Sequence, residues 1–499
     1  MMDLLVISPI LLPLLWVIVC LMAGNKAKST ATLSLVGGIA LLAVCTILLY
    51  QVERNGTLTL VAGGWQPPFG IVLVADLLSA MMLWISAFVA LAVLIYGVNR
   101  HDPLAESRRV HVLVHGLMLG VNGSFLTGDL FNLYVWFEVM LISSFILMVR
   151  ERRKQQLAGG LTYVILNLVA SAMFLCGAGL LYGKLGTLNM ADMAVKLSTL
   201  EEPEFVNTTG ALLFVAFAAK AGLFPFHFWL PASYHNAGPA ISALFAGLLT
   251  KVGVYALLRL FTLVFIPANG FSSTLILYLS MATMLIGVLG AVAQYNVRRL
   301  LAFHIISQIG YMTAGLAIGT HLALTAVVFY VIHHIAVKST LFLVGGVLEM
   351  RTGTGDIRKH GNFYQTQPLL AVCFLIPALS LGGIPPLSGF WAKLNLLQAG
   401  VSQGEWLFLF MALAVGVLTL FSMIKIWNES FWKPMPEDPS LQPMPAGPGR
   451  PYAGMLMLCA LTLVLSLGGW FVFDLSERAA ADLADPSRYI NAVMKGGAP

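Results

Sequence analysis

The stretch Val215-Ala-Phe-Ala-Ala-Lys-Ala-Gly-Leu-Phe-Pro-Phe-His-Phe-Trp-Leu-Pro231 combines features that are unfavourable in an apolar helix. Its lysine, Lys220, costs about 2.5–3.5 kcal/mol at mid-bilayer depth. Pro225 removes a backbone hydrogen bond that lipid cannot replace. The stretch therefore predicts a broken membrane helix that carries a protonatable group. Other apolar runs are each interrupted by one lysine, namely Lys251, Lys338 and Lys393.

The composition of the whole chain indicates membrane spans throughout. Its 499 residues are 59% hydrophobic and 10% charged, with a mean hydropathy of +0.86. This excludes a soluble domain with a single anchor. We therefore predict an all-α polytopic membrane protein of about fourteen transmembrane helices. The predicted spans lie at roughly 4–22, 31–50, 76–98, 110–126, 129–149, 161–182, 208–226, 239–261, 273–293, 302–319, 324–350, 369–400, 406–428 and 453–473.

The basic residues indicate the orientation of these spans. Lys and Arg are more frequent after odd-numbered spans, with the densest group at 150–154 after the fifth span. The positive-inside rule predicts a multi-pass protein whose termini both face outside. The first span lacks a basic n-region and a cleavage pattern, so we expect it to be retained. The net charge of +6 is scattered over short loops without an aromatic platform, so we expect no nucleic-acid partner.

Motifs for cofactors are absent from the sequence. The five cysteines have no CxxC spacing, and no phosphate-binding or dinucleotide-binding glycine motif is present. We expect no bound cofactor or metal. The energy for any transport must then come from ion gradients or from partner subunits.

Two segments share one design and indicate an inverted repeat. Gly222 and Pro225 in the first are matched by Gly383, Pro385 and Pro386 in the second, and each segment also carries a tryptophan and a nearby lysine. A weaker match pairs three polar positions of the sixth span with three of the eleventh: Tyr163, Asn167 and Ser171 with Tyr330, His334 and Lys338. The matched positions are separated by about 161 to 167 residues.

Units of five helices alternate in orientation, so these matches predict two inverted five-helix repeats and two broken helices. Proline kinks that are common in membrane helices are the alternative explanation of the breaks. The predicted division is residues 1–109 for helices 1–3, 110–261 for the first repeat (helices 4–8), 273–428 for the second repeat (helices 9–13), and 429–499 for a cytoplasmic loop, helix 14 and a C-terminal tail.

The distance of a charged residue from the ends of its predicted span indicates whether it could act in transport. Glu138, Lys251 and Lys338 each lie about 18–20 Å from the end of their span at 1.5 Å per residue. Burial favours the neutral form of such groups, whereas an ion pair favours the charged forms. Glu138 and Lys220 therefore suit a switchable pair that passes protons toward Lys251. A static buried pair that only joins spans 5 and 7 is the alternative.

In the second half of the chain, histidines accompany the lysines. His333 and His334 precede Lys338 by about one turn, and Lys393 follows the break by two turns. Histidine titrates near neutral pH, so His334 suits a relay between Lys338 and Lys393. A hydrogen-bonded core histidine is the alternative for His334, and more so for His333.

The remaining polar groups favour structural interpretations. His111 and His115 have the spacing of a metal pair on one helix face, but no carboxylate or cysteine is near in sequence. Glu138 is the only carboxylate at mid-depth, so the chain suits H⁺ better than an alkali cation. Four charged residues near span ends are expected to be interfacial: Asp76, Asp129, Glu405 and Lys425.

Four motifs together resemble one family. They are Lys220-Ala-Gly-Leu-Phe-Pro-Phe-His-Phe-Trp-Leu-Pro231, Trp136-Phe-Glu138, Leu249-Thr-Lys-Val-Gly-Val-Tyr255 and Gly383-Ile-Pro-Pro-Leu-Ser-Gly-Phe-Trp-Ala-Lys393. The chain is similar over nearly its whole length to the antiporter-like subunits of respiratory complex I and of Mrp-type multisubunit cation/proton antiporters. The segment at 231–251 resembles the D-subunit branch of the Mrp type.

The resemblance implies roles, partners and location. It implies a midplane proton line through Glu138, Lys220, Lys251, Lys338 and Lys393, with spans 4–8 and 9–13 as the inverted repeats. It also implies other Mrp-type subunits as partners, in a bacterial plasma membrane, with Na⁺ or K⁺ exported against H⁺ entry. The chain would be a secondary transporter subunit and not an enzyme.

Three alternatives remain open at this stage. The first is a proton-pumping subunit of a redox-driven complex, such as complex I or a membrane-bound hydrogenase. The second is a scaffold whose buried charges only fix helix packing. The third, an intramembrane metalloenzyme, would require metal in the purified chain.

Overall fold

The fold is all-α apart from one short hairpin, in a computed structural model that describes residues 2–23, 27–97, 108–266, 273–436 and 451–495. The elements in chain order are α1 (Met2–Met22), α2 (Ala27–Asn55), β1 (Leu58–Val61), β2 (Val72–Ala75), α3 (Leu77–Gly97), α4 (Arg108–Leu126), α5 (Leu130–Met148), α6 (Lys154–Leu185), α7 (Met190–Ser198), α8 (Pro203–Ala221), α9 (Trp229–Ser233), α10 (Pro239–Leu263), α11 (Ser273–Val292), α12 (Val297–Ile318), α13 (His321–Thr352), α14 (Phe363–Thr366), α15 (Pro368–Gly382), α16 (Ser388–Ser402), α17 (Trp406–Ile426), α18 (Pro451–Leu467), α19 (Gly469–Ala484) and α20 (Pro486–Lys495).

The helices confirm a polytopic membrane fold. Eleven described helices are long and apolar enough to cross a bilayer, or up to twelve if one bent pair counts as one span. Arg108–Leu126 does not meet this test, and α15 and α16 are each too short to meet it alone. The count of fourteen spans therefore stays a prediction.

Two helices form the centre of the molecule. The apolar windows of α10 and α13 are wholly buried, whereas only about a third of α1 and of α2 is covered. Glycine lets the central pair approach closely, because a Cβ at Gly247 would lie 2.4 Å from Ser339 Oγ. Similarly, a Cβ at Gly346 would lie 2.2 Å from Pro239 Cβ. Both helices carry predicted site residues, which are therefore shielded from lipid.

Two helices end at glycine within apolar sequence. Gly222 after α8 and Gly383 after α15 both have φ 86° and ψ 36°. This left-handed conformation strains any residue with a Cβ. In both places the next residue also bonds back into the last turn, Leu223 to Ala218 and Ile384 to Leu379. The two breaks thus have the same cap.

Two sequence predictions about the ends of the molecule were wrong. The segment from Tyr50 to Ala75 was expected to be a loop, but α2 continues to Asn55 and β1 pairs antiparallel with β2. The span expected at 453–473 ends at Leu467, and α19 turns away by 77°. The cytoplasmic loop expected between residue 429 and helix 14 lies mostly outside the described residues.

Local sequence explains both corrections. β1 (Leu-Thr-Leu-Val) and β2 (Val-Leu-Val-Ala) are runs of only four residues, too short for the sequence to distinguish strand from helix, and their pairing is a tertiary event. The apolar sequence of α18 gives way to charged residues in α19, and these charges keep α19 out of the apolar layer.

Candidate functional site

The first polar cluster, in which Ser171 and Lys220 are buried and Glu138 is half-buried, lies where α5, α6 and α8 meet. Ser171 donates to Glu138 Oε1 at 2.5 Å and accepts from Lys220 Nζ at 2.8 Å. The ammonium of Lys220 also lies 4.9 Å from the centre of the Phe137 ring. In the described part of the chain, Glu138 and Lys220 therefore meet through a serine hydroxyl and form no direct ion pair.

The break in α8 determines the surroundings of Lys220. Lys220 occupies the last turn of α8, where the carbonyl of Ala218 accepts from the N–H groups of Gly222 and Leu223. Trp229 Nε1 donates to the carbonyl of Ala219 at 3.0 Å. The carboxyl end of a helix carries partial negative charge, so this position stabilises a lysine that has little access to water.

Lys251 lies fully buried on α10. Its Nζ donates to the carbonyl of Ala246 at 2.5 Å and to Thr250 Oγ1 at 3.2 Å. Neither partner is charged, so Lys251 can hold or release a proton without breaking an ion pair. A Cβ at Gly253 would lie 2.8 Å from the backbone nitrogen of Ala221. Lys220 and Lys251 each lie within two residues of this close contact of α8 and α10.

His334 and Lys338 lie on one face of α13. Lys338 Nζ donates to the carbonyl of Leu301 at 3.3 Å. Neither ring nitrogen of the fully buried His334 has a hydrogen-bond partner among the described residues. The ring is close enough to Lys251 and Lys338 for their charges to interact with it. His333 and His304 are its other titratable neighbours, and a relay by His334 between Lys338 and Lys393 stays a prediction.

Lys393 lies on α16 and reaches back across the second break. Its Nζ donates to the carbonyls of Leu381 at 2.9 Å and Gly382 at 3.4 Å. The same ammonium lies 5.3 Å from the centre of the Tyr311 ring. Lys393 is therefore held by the free carbonyls at the end of α15, where the helix dipole favours a cation.

His304 is a candidate residue that the sequence did not single out. It lies on α12, is fully buried, and has two ring nitrogens without a hydrogen-bond partner in the described residues. Its charge neighbours are Lys338, Lys393 and Lys425. The span prediction began at 302 and made this histidine interfacial, whereas α12 begins at Val297. His333, by contrast, bonds to Ser388 Oγ at 2.8 Å.

Asp76 is not the interfacial carboxylate that was expected. Its Oδ2 pairs with Arg259 Nη2 at 2.5 Å, and both side chains are 5% exposed. The hairpin and the C-terminal helices cover this end of α10, so a position near the end of a span in sequence is buried in the fold. Asp129 caps α5 by accepting from the Asn132 N–H, as suits a residue at a span end.

The two halves share packing contacts at matched positions. Asp129 and Asn189 form an isolated antiparallel β-bridge. Asn296 and Asp356 form a second one, and both of its residues follow their counterparts in the first by the same number of positions. Asn296 also caps α12 as Asp129 caps α5. Glycines also permit close helix contacts at matched positions. Gly120 and Gly123 of α4 contact α5, and the corresponding Gly287 and Gly290 of α11 contact α12.

The described residues hold no cluster that would bind a metal. No group of three or more His, Cys, Asp or Glu side chains converges within them. His115 Nε2 instead bonds to Ser34 Oγ at 2.9 Å. The spacing of His111 and His115 therefore has no third ligand in this part of the chain.

Comparisons with known proteins agree with this fold. The family model described as "NADH:quinone oxidoreductase/Mrp antiporter, TM" matches residues 127–419. The D-type Na⁺/H⁺ antiporter subunit of Alkalihalophilus pseudofirmus is 44% identical over 99% of this chain and 100% of its own length. The protein of the same name from Bacillus subtilis is 38% identical over 98% of this chain and 99% of its own.

A solved structure is similar over the same extent. A chain of the Mrp complex from Dietzia sp. DQ12-45-1b superposes with a TM-score of 0.93 at 34% identity. The match covers 99% of both chains.

Proposed function

This chain belongs to the NADH:quinone oxidoreductase/Mrp antiporter family of membrane proteins, within the group of D-type Na⁺/H⁺ antiporter subunits, and we propose that it conducts protons in a multisubunit antiporter. The complex would exchange cytoplasmic Na⁺ or K⁺ for external H⁺. The chain is accordingly a secondary transporter subunit and not an enzyme.

The serine bridge is the observation that carries this proposal. Ser171 links an acid, Glu138, to a base, Lys220, in a site where Lys220 has little access to water. A hydroxyl can accept one proton while it donates another, so it can pass a proton between the two groups. A static helix-packing role would be served equally by a direct ion pair and would need no hydroxyl between the charges.

The proposed proton step uses the bridge as a switch. With Glu138 ionised and Lys220 protonated, both hydrogen bonds of Ser171 favour the charged forms. Protonation of Glu138, or movement of its carboxylate, weakens the interaction through Ser171 that stabilises protonated Lys220. The lysine then releases its proton toward Lys251 across the contact of α8 and α10.

The second half of the chain extends the line. Lys251, His334, Lys338, His304 and Lys393 form a succession in which neighbours are close enough for their charges to interact. Lysine and histidine both gain and lose protons, and the unpartnered ring nitrogens of His334 and His304 leave room for a proton or a water. Each new proton would repel the one ahead of it.

The matched contacts of the two halves support the inverted repeats. The shared caps at Gly222 and Gly383, and the matched bridges of Asp129 and Asn296, favour residues 110–261 and 273–428 as two copies of one five-helix unit. Broken helices at the midplane, at Pro225 and at Pro385-Pro386, suit the placement of transported ions in such folds.

The proposed setting is a bacterial plasma membrane, with both termini outside and other antiporter subunits as partners. The large lipid-facing or partner-facing apolar surface supports this setting, because helices such as α17 expose Phe410, Leu413 and Val417. A redox-driven complex is the other member class that the family description names. The two relatives named as antiporter subunits favour the antiporter.

Exchange assays in everted vesicles test the proposal. Lys220→Ala and Glu138→Ala should each abolish pH-gradient-driven cation efflux while the complex still assembles, and Glu138→Asp should retain part of it. Lys184→Ala is the matched control, because Lys184 pairs with Glu202 at 2.5 Å on an exposed surface. Normal efflux in assembled Lys220→Ala complexes would refute the proton role.

A further inference from the structure

The side of α10 that carries Lys251 continues to the end of the helix as a polar column. Tyr255 and Arg259 follow Lys251 at intervals of four residues, so the three share one side of the helix. Lys251 is 0% exposed, Tyr255 is 3% exposed and Arg259 is 4% exposed. At 1.5 Å per residue, only about 12 Å of helix separates Lys251 from Arg259.

The column ends under the C-terminal helices. Arg259 pairs with Asp76, and the Tyr489 ring of α20 lies 4.9 Å from the guanidinium. Asp482 of α19 is near enough for its charge to act on Arg259 and Asp76, and its side chain is 33% exposed. We call this side the hairpin face, defined by β1, β2, α20 and the end of α10. A water-accessible carboxylate therefore lies next to the buried pair.

The hydrogen bonds of the column form a closed set. Asp76 accepts from the Ser79 N–H at 2.9 Å and from Arg259. Tyr255 accepts from Arg259 Nη2 at 3.2 Å and donates to the carbonyl of Phe125 at 2.7 Å. In the part of the chain that the structure describes, no hydrogen bond joins Tyr255 to Lys251. Within the described residues, the hydrogen bonds of Tyr255 and Arg259 therefore lead to Phe125 and Asp76 and do not continue to Lys251.

The chemistry of arginine also opposes proton passage. A guanidinium keeps its proton at any physiological pH, so Arg259 cannot hand one on. A fixed positive charge at the end of a narrow route repels an incoming proton. The ring of Tyr489 excludes water from the guanidinium and supplies a cation–π contact in its place.

We propose that the Asp76–Arg259–Tyr255 network, covered by Tyr489, is a seal that stops protons from passing between Lys251 and the hairpin face. The seal keeps proton movement coupled to cation exchange. It rests on the proposed function, because only a chain whose Lys251 carries protons requires insulation at this end.

A passive-leak assay tests the seal separately from exchange. The intact complex is placed in proteoliposomes without Na⁺ or K⁺, and the decay of an imposed pH gradient is followed with a fluorescent dye. Tyr489→Ala should speed the decay at least about threefold, whereas Tyr489→Phe, which keeps the ring, should match the parent protein. Tyr489→Leu replaces Tyr489→Ala if the latter does not accumulate, and its smaller side chain should also raise the leak.

A double substitution separates a seal from a proton relay. Asp76→Leu with Arg259→Met replaces the buried pair by apolar side chains, a change that such pairs often tolerate. Because the seal is assigned to this network, its loss should raise the leak at least about twofold, while exchange at matched complex abundance is retained. A relay would lose exchange at unchanged leak, and that result would overturn the proposal.

An unchanged leak in fully assembled Tyr489→Ala complexes would also overturn the seal. This failure is distinguishable from failure of the proposed function, because the leak assay contains no exchangeable cation. Failure of the proposed function would instead appear as normal efflux in Lys220→Ala vesicles.

Discussion

Ser171 changes the chemistry expected of Glu138 and Lys220. A direct ion pair would hold both residues in their charged forms, and separating it would require moving a helix. With a hydroxyl between them, a rotation of one small side chain alters the link. The proposed proton switch would therefore depend on the rotamer of Ser171 as much as on helix motion.

Removing this hydroxyl should slow exchange while the charges remain. A hydrogen bond to a charged group contributes about 1.5–3 kcal/mol, so Ser171→Ala should lower the efflux rate by about tenfold or more. Ser171→Thr keeps a hydroxyl and should recover much of the rate. Initial rates in everted vesicles at matched complex abundance measure the effect.

Ser144→Ala is the control for that change. Ser144 is equally buried on α5, but its hydroxyl bonds to Tyr163 and not to the acid or the lysine. Its rate should stay near that of the parent protein. Equal losses for both serines would indicate a packing effect and would contradict the bridge as a proton link.

Lys251→Arg should change the pH profile of exchange. Arginine keeps its proton at pH values where a buried lysine can release it, so exchange should fall and its optimum should move to more alkaline pH. The cation concentration that gives half-maximal rate should stay within about twofold, because the proposed role of Lys251 is to carry protons only. Exchange measured across pH and cation concentration yields both quantities, with Lys184→Arg as the surface control.

The opposite result would contradict a role for this chain in proton transport alone. A large change in the half-saturating Na⁺ or K⁺ concentration, with an unmoved pH optimum, would place the cation in this subunit.

At the scale of elements, the caps of the broken helices position the lysines. A Cβ at Gly383 would lie 3.0 Å from Lys393 Cδ, and a Cβ at Gly222 would lie 3.2 Å from Leu230 Cδ1. The left-handed cap ends α15 where its free carbonyls can bind Lys393. The break is thus a binding element for the lysine as well as an interruption of the helix.

Gly383→Ala should therefore slow exchange through Lys393. The substitution strains the left-handed cap by about 1 kcal/mol and presses on the lysine side chain. We expect a loss of exchange rate of several-fold in complexes that still assemble. The rate per assembled complex, with thermal stability measured in parallel, tests this.

Gly353→Ala provides a matched control for backbone strain. Gly353 ends α13 in a left-handed conformation with φ +71°, and a Cβ there would meet nothing within 4 Å. This variant should lose similar stability and keep its exchange rate. Equal rates for the two variants would mean that the cap at Gly383 has only a structural role.

At the scale of the whole molecule, the faces of the membrane domain differ in what covers them. The hairpin, the end of α10 and α20 share one face. The start of α10 and the end of α13 share the opposite face, where Gly346 contacts Pro239 and Arg298 pairs with Glu349 at 2.6 Å. The orientation inferred from basic loops assigns the hairpin face to the outside.

Site-specific labelling tests this orientation. Ser487→Cys lies at an exposed position of α20, so an impermeant maleimide should label it in intact cells. Arg358→Cys replaces a residue whose side chain is 60% exposed beyond α13, and it should be labelled only after permeabilisation. The reverse pattern would contradict the positive-inside assignment.

The sequence by itself determined the membrane fold and the breaks within it. Apolar runs of spanning length form helices because lipid offers the backbone no other hydrogen-bond partner, and this depends only on local composition. The ends of α8 and α15 follow from Gly222 and Gly383 because a left-handed cap is a property of single residues. The four buried lysines were predicted for the same local reason, namely the cost of charge in an apolar run.

The tertiary structure alone decided which of these groups meet. Ser171 lies 33 residues from Glu138 and 49 from Lys220 in the chain, and Arg259 meets Asp76 from a distant helix. His304 gained its place beside Lys338 and Lys393 only when α12 packed against α13. Contacts of this kind depend on how helices dock through small residues and covering segments, and hydropathy carries no information about that docking.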